Sequence, residues 1–150
     1  MEKNGNTLSL DCALLTGWAV AVEGRLTEYG EVRLSRGENA LWEFLTNITA
    51  KYHITRIVAE SIFLNKNVRT FERLANYHGV INLFAQLNEI ELITKGYQPT
   101  EWKRIFIRNP YASKDEVKNY VNKLIGGNIQ SDNITDAIGI LFAWVKRQRR

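Results

Sequence analysis

Four carboxylates stand out in this sequence by where they fall: Asp11, Glu60, Asp132 and Asp136. Asp11 closes the run Thr7-Leu-Ser-Leu-Asp11, and Glu60 closes Ile54-Thr-Arg-Ile-Val-Ala-Glu60. Both runs have the length and composition of buried strands. Ligand sites of open α/β sheets lie in the crevice outside such strand ends. Asp132 and Asp136 are four residues apart at the start of an expected helix, so both project from one face. Each acid also has an ordinary reading: a solvated loop acid after a strand, or a cap and dipole partner in a first helical turn. Brought to one edge, however, four carboxylates repel one another unless cations lie between them. Mg²⁺ is a hard ion that takes oxygen ligands. Two such ions about 4 Å apart activate a water and stabilise the leaving oxygen of a phosphodiester. Spacing alone leaves both readings open.

The elements that would position these acids are legible from hydrophobic pattern. Residues 7–11, 17–22 and 25–34, with a tight turn at Glu23-Gly24, read as three strands in an antiparallel meander. Residues 38–52 have helical spacing with one apolar stripe, and 54–60 are a buried strand. Residues 68–86 predict a long helix with Phe71, Leu74, Ala75, Val80, Leu83 and Phe84 inward. A short strand over 91–95 and a brief helical turn around Trp102 follow. Ser113 with Glu116 three residues later is a capping-box pattern opening a helix that Gly126-Gly127 ends. The last helix starts near Asp132. Strands, helix, strand, helix, strand and then helices argue for an α/β fold with a mixed sheet.

Length and charge narrow the function classes. With 150 residues the chain is expected to form one domain, 1–150, with a basic tail from about residue 146. A hydrophobic content of 45% argues against general disorder, and no apolar run is long enough to span a bilayer. The lone Cys12 forms no intramolecular disulfide, and with only His53 and His78 it offers no zinc spacing. A reducing cytoplasm is therefore expected, the host's if the chain is phage-encoded. The net charge of +4 is modest. Its clustering says more: residues 66–73, then Lys103, Arg104 and Arg108, then the C-terminal run all flank the acids, as phosphate contacts would.

On its motifs the chain resembles the RuvC family of Holliday junction resolvases, from Leu8 to Trp144. The motifs are Leu-Ser-Leu-Asp11 followed by Thr16-Gly17-Trp18; Glu60-Ser-Ile-Phe63-Leu-Asn-Lys66-Asn67 running on to His78-Gly79-Val80; Trp102-Lys103-Arg104 followed by Ser113-Lys114; and Asp136-Ala-Ile-Gly-Ile. Three features depart from the family pattern. Cys12-Ala13 replaces Pro-Gly after the first acid, His78 stands for the usual arginine, and Asp132 lies one residue before the usual acid position, Asn133. The chain is also short, as a phage-type member would be.

The resemblance implies an RNase H-like (retroviral-integrase-like) fold with a central mixed five-stranded sheet flanked by helices. It implies a metal-dependent endonuclease that cuts Holliday junctions and other branched DNA to leave 5′-phosphate ends. Asp11, Glu60, Asp132 and Asp136 would hold two Mg²⁺ (or Mn²⁺) ions, with Lys103 and Lys114 catalytic. Phe63 would stack on unpaired bases, and Lys66, Asn67, Arg69, His78 and Arg104 would contact DNA. A homodimer is implied, with the helix after Glu60 in its interface and no small-molecule cofactor. Two alternatives share the pattern: an RNA nuclease on the same fold (YqgF-like), and a catalytically silent protein that binds branched nucleic acid.

Overall fold

The computed structural model describes residues 5–62 and 67–149. These form five strands and five helices: β1 (Asn6–Asp11), β2 (Leu15–Val22), β3 (Arg25–Arg33), α1 (Glu38–Tyr52), β4 (Ile54–Ala59), α2 (Val68–Leu87), β5 (Glu91–Ile93), α3 (Pro99–Ile107), α4 (Lys114–Ile125) and α5 (Asp132–Gln148). One sheet has the order β3-β2-β1-β4-β5. β1, β2 and β3 pair antiparallel, whereas β4 runs parallel to β1 and β5 parallel to β4. The meander, the mixed sheet and the capping box at Ser113 and Glu116 are as the sequence predicts.

Alternation along the central strands builds two cores. Leu8, Leu10, Val20 and Ile57 face α1 and α2, while Ala19, Ala21 and Val58 face α3, α4 and α5. The second face is paved with small residues, so α5 lies close against the sheet. The buried Ser9 hydroxyl donates to the Ala137 carbonyl at 2.7 Å. At Gly17 a Cβ would stand 1.9 Å from the Asn133 carbonyl oxygen, so only glycine admits the first turn of α5. Gly17 is also the sheet partner of Asp11. The residue that seats α5 is thereby the one beside the first acid.

Three sequence expectations are corrected. The turn around Trp102 is a nine-residue helix, α3, opened by Pro99 and closed by Arg108 in a left-handed conformation. It carries its own core face of Trp102, Ile105 and Phe106. On α2 the inward residues are Tyr77, Ile81, Phe84 and Ala85, while Leu83 points outward. The basic segment from 146 is no separate tail over its described part. Lys146 donates to the Phe106 carbonyl at 2.8 Å, and the Arg147 guanidinium stacks 4.7 Å from the Tyr97 ring centroid.

Gly17→Ala is expected to destabilise the protein by roughly 2–3 kcal/mol, the upper range for overpacking, because two backbones must separate. Urea unfolding measures this, and an unchanged midpoint would contradict the seating of α5.

Candidate active site

Asp11 ends β1, and Glu60 follows the last residue of β4. The two strands are parallel neighbours, so both carboxylates leave the sheet at the same edge. The Glu60 amide donates to the Leu10 carbonyl at 3.3 Å, continuing the ladder by one bond. Asp136 enters from the first turns of α5, only 6% exposed.

Burial is the largest cause lifting Asp11, and repulsion from Glu60 and Asp136 lifts it further. It stands well above the ordinary carboxylate range. Glu60 is raised by burial and by Asp136, against the pull of a hydrogen bond from the Trp102 indole. Asp136 is raised by burial and by Asp132, against the nearby Lys114 ammonium. Asp11 therefore stands within reach of the charges of both Glu60 and Asp136, and Glu60 within reach of Asp136.

Asp132 stands to one side of these three. Its side chain is 38% exposed and lies 3.0 Å from the Lys118 ammonium, in an ion pair whose alignment does not make a hydrogen bond of it. Its charge acts on Asp136 and Lys114. Asn133, at the family's usual acid position, instead donates to Glu31 on β3 at 3.3 Å.

Lys114, the first residue of α4, reaches Asp136 Oδ2 at 3.0 Å. Burial alone would lower its ammonium, but Asp136, Asp11 and Asp132 together raise it. Lys103, on α3, adds positive potential felt by Asp11, Glu60 and Asp136. The structure thus brings together Asp11, Glu60, Asp136, Lys103 and Lys114, with Asp132 at the rim. His78 lines a small cavity with Asp11, Cys12, Glu60, Ser61, Ile62 and Leu74. Its Nε2 is buried without a partner, and burial holds its pKa below the usual value. The Cys12 thiol in the same cavity is pushed far up by burial, then by Asp11 and Glu60.

Arg69 and Arg104 are exposed on α2 and α3. The Asn67 side chain caps α2, accepting from the Thr70 amide at 3.1 Å. Phe63 and Lys66 lie outside the described residues. Sequence reading missed Lys118 as the partner of Asp132 and Trp102 as the partner of Glu60. Lys118 was detectable as the residue one turn after Lys114 on the same helix face.

The donor set fits a hard divalent cation. All donors are carboxylate oxygens, and Asp136 Oδ1 is buried with no hydrogen-bond partner. No three acidic, histidine or cysteine side chains among the described residues stand ready as the ligand set of one ion. Charge outweighs that consideration. A change of side-chain torsion would bring these carboxylates onto one ion, which would offset the repulsion between them.

A mixed sheet in this order, with carboxylates leaving the parallel pair β1 and β4 and a final helix adding more, is the RNase H-like arrangement. The family model for crossover junction endodeoxyribonuclease RuvC matches residues 20–143. The RuvC of Brachyspira hyodysenteriae is 35% identical over 105 residues, spanning 70% of this chain and 64% of that protein. The RuvC of Dictyoglomus thermophilum is 27% identical over 134 residues, spanning 87% and 82%. The structure of Thermus thermophilus RuvC in complex with Holliday junction substrate superposes with a TM-score of 0.79 at 16% identity, covering 96% of this chain and 95% of that one. The chain belongs to the RuvC family of crossover junction endodeoxyribonucleases. No helix among the described residues is long and apolar enough to cross a membrane.

Each raised carboxyl pKa gives a signed stability prediction. In the window between the unfolded-state value near 4 and the raised folded value, the native state binds more protons. Without added metal, stability therefore falls as pH rises through that window and stays low above it. Asp11→Asn removes one such group. In EDTA it is expected to melt a few degrees above the wild type at pH 8 (about 3 °C per kcal/mol at this size), with the gap closing near pH 4. A variant that melts below the wild type at pH 8 would contradict the cost of burying this charge beside Glu60 and Asp136.

Proposed function

We propose that the protein cuts Holliday junctions and related branched DNA by metal-dependent phosphodiester hydrolysis, with Asp11, Glu60, Asp132 and Asp136 as the ion ligands. The observation that carries this reading is the burial of Asp11, Glu60 and Asp136 together at one sheet edge, with Asp136 Oδ1 unpartnered. Two Mg²⁺ ions, or Mn²⁺ in their place, would supply an activated water and stabilise the departing 3′ oxygen, leaving a 5′-phosphate.

The chain's own residues do the rest. Asp11 and Glu60 leave a parallel strand pair, which fixes the spacing of their backbones. Asp132 and Asp136 present two further carboxylates one helical turn apart. Lys114 lies against Asp136, where its ammonium would meet a scissile phosphate. Lys103 adds positive potential from the adjacent helix. His78, neutral in its cavity, offers a hydrogen-bonding nitrogen beside Asp11 and Glu60. Exposed Arg69 and Arg104 extend the cationic surface over which DNA arms would run, Lys66 and Asn67 would contact DNA beside them, and Phe63 would stack on bases at the branch. The Thermus relative was solved with a Holliday junction, which supports the same substrate class here.

We take the chain as a single nuclease domain that works as a homodimer, because a two-fold junction requires two symmetric cuts. α2 supports the pairing. Val68, Leu83 and Leu87 on it are 58%, 52% and 66% exposed, although its inward face is already filled by Tyr77, Ile81 and Phe84.

Two experiments test this. A synthetic four-way junction incubated with Mg²⁺ or Mn²⁺ should receive paired nicks that a matched linear duplex does not. Glu60→Gln should cut at least about 10³-fold more slowly while still binding the junction. Tight junction binding with no cutting by the wild type would leave only a binding protein, and preferential cutting of RNA would favour the RNA-nuclease alternative. Sedimentation should show a dimer that the double substitution Leu83→Glu with Leu87→Glu converts to monomer. A wild type that sediments as a monomer at micromolar concentration would remove the two-site reading.

A further inference from the structure

The contact between Trp102 and Glu60 joins residues 42 apart in the chain, and packing alone does not require it. The Trp102 indole Nε1 donates to Glu60 Oε2 at 2.7 Å, and the side chain is completely buried. A buried indole N–H needs an acceptor, and a carboxylate is the strongest acceptor a protein offers. The indole is a donor only, so it can hold a carboxylate oxygen without competing for a cation. Glu60 needs such a hold because it lies one residue past the end of β4. There the sheet fixes its backbone but not its carboxylate.

Gly139 completes the arrangement from the other side. A Cβ there would lie 2.6 Å from Cζ3 and 3.2 Å from Cε3 of Trp102. Glycine inside a helix costs about 1 kcal/mol relative to alanine, and Gly139 sits mid-helix between Ile138 and Ile140 with no positive φ to justify it. Its purpose here is clearance for the indole. Trp102 also precedes Lys103, whose ammonium lies 5.6 Å from the indole centroid. One helix therefore sets both a carboxylate and a cation of the site.

We propose that Trp102 is a positioning residue for Glu60, that its N–H fixes the carboxylate in the orientation that receives a divalent cation, and that Gly139 is the notch that seats the ring edge opposite the N–H. This rests on the reading of Glu60 as an ion ligand. Removing such an outer partner of a metal ligand weakens ion binding by about 10–100-fold in general.

The test uses the full chain and Mn²⁺ alone, by titration calorimetry without DNA, beside junction binding in EDTA and cleavage as a function of Mn²⁺ concentration. Trp102→Phe keeps an aromatic ring and deletes the donor. Placing 3-benzothienylalanine at position 102 keeps the full bicyclic shape and deletes only the N–H, so it covers the case in which phenylalanine fails to fold. Both are expected to weaken Mn²⁺ binding at least 10-fold and to raise the Mn²⁺ concentration for half-maximal cleavage by a similar factor. Cleavage at saturating Mn²⁺ should largely recover, and junction affinity in EDTA should be unchanged. Gly139→Ala should reproduce the pattern by pushing the indole aside. A folded benzothienyl variant that binds Mn²⁺ as the wild type does, while Glu60→Gln does not, would overturn the positioning role and leave Glu60 a ligand. Wild-type Mn²⁺ binding by Glu60→Gln would overturn both.

Discussion

Mutual repulsion among buried carboxylates is the constraint to which this structure answers. Asp11 and Glu60 are delivered to one edge by a parallel strand pair, and Asp136 is brought against them by a helix that crosses the same sheet. None of these positions relaxes the others, because each acid is anchored in an element whose own core is full. The site has a standing deficit of positive charge, partly met by Lys114 and Lys103 and otherwise suited to divalent ions. Burial that would be a fault in a structural protein is what makes a carboxylate edge useful to a nuclease.

The rest of the fold serves to hold that edge still. Two cores clamp the sheet, one under α1 and α2 and the other under α3, α4 and α5. α5 is bolted at several points along its length: its first turn over Gly17, the Ala137 carbonyl to Ser9, the Gly139 notch to Trp102, and the end of the helix to Phe106 and Tyr97 through Lys146 and Arg147. α4 is fixed at its start by the capping box of Ser113 and Glu116, so Lys114 begins from a defined position.

Much of this was legible in the sequence where the signal is local. The strand-terminal acids, the i,i+4 pair, the capping box and the meander all follow from periodicity and residue type over a few positions. What was not legible depends on contacts between distant segments. The pairing of Trp102 with Glu60 and the notch at Gly139 need the fold before they can be seen. The outward turn of Leu83 was hidden because α2 is apolar on more than one side, so its pattern does not say which stripe meets the sheet. α3 was underestimated because Trp102, Ile105 and Phe106 span only one and a half turns. The departure at Asp132 found its account only in three dimensions. Asn133 is turned toward Glu31, while Asp132 faces the two lysines of α4.

The close seating of α5 has a consequence for how the edge can respond to ions of different size. Small residues at Gly17, Ala19 and Ala21 bring the helix onto the sheet with no slack between backbones. The helix therefore cannot slide or roll to open or tighten the space between Asp136 and its neighbours. Any adjustment falls to side-chain torsions, two for an aspartate and three for a glutamate, one of them restrained by the indole. The backbones set how far apart the acids stand, and only the side chains, whose terminal torsions turn broadly, are left to adapt.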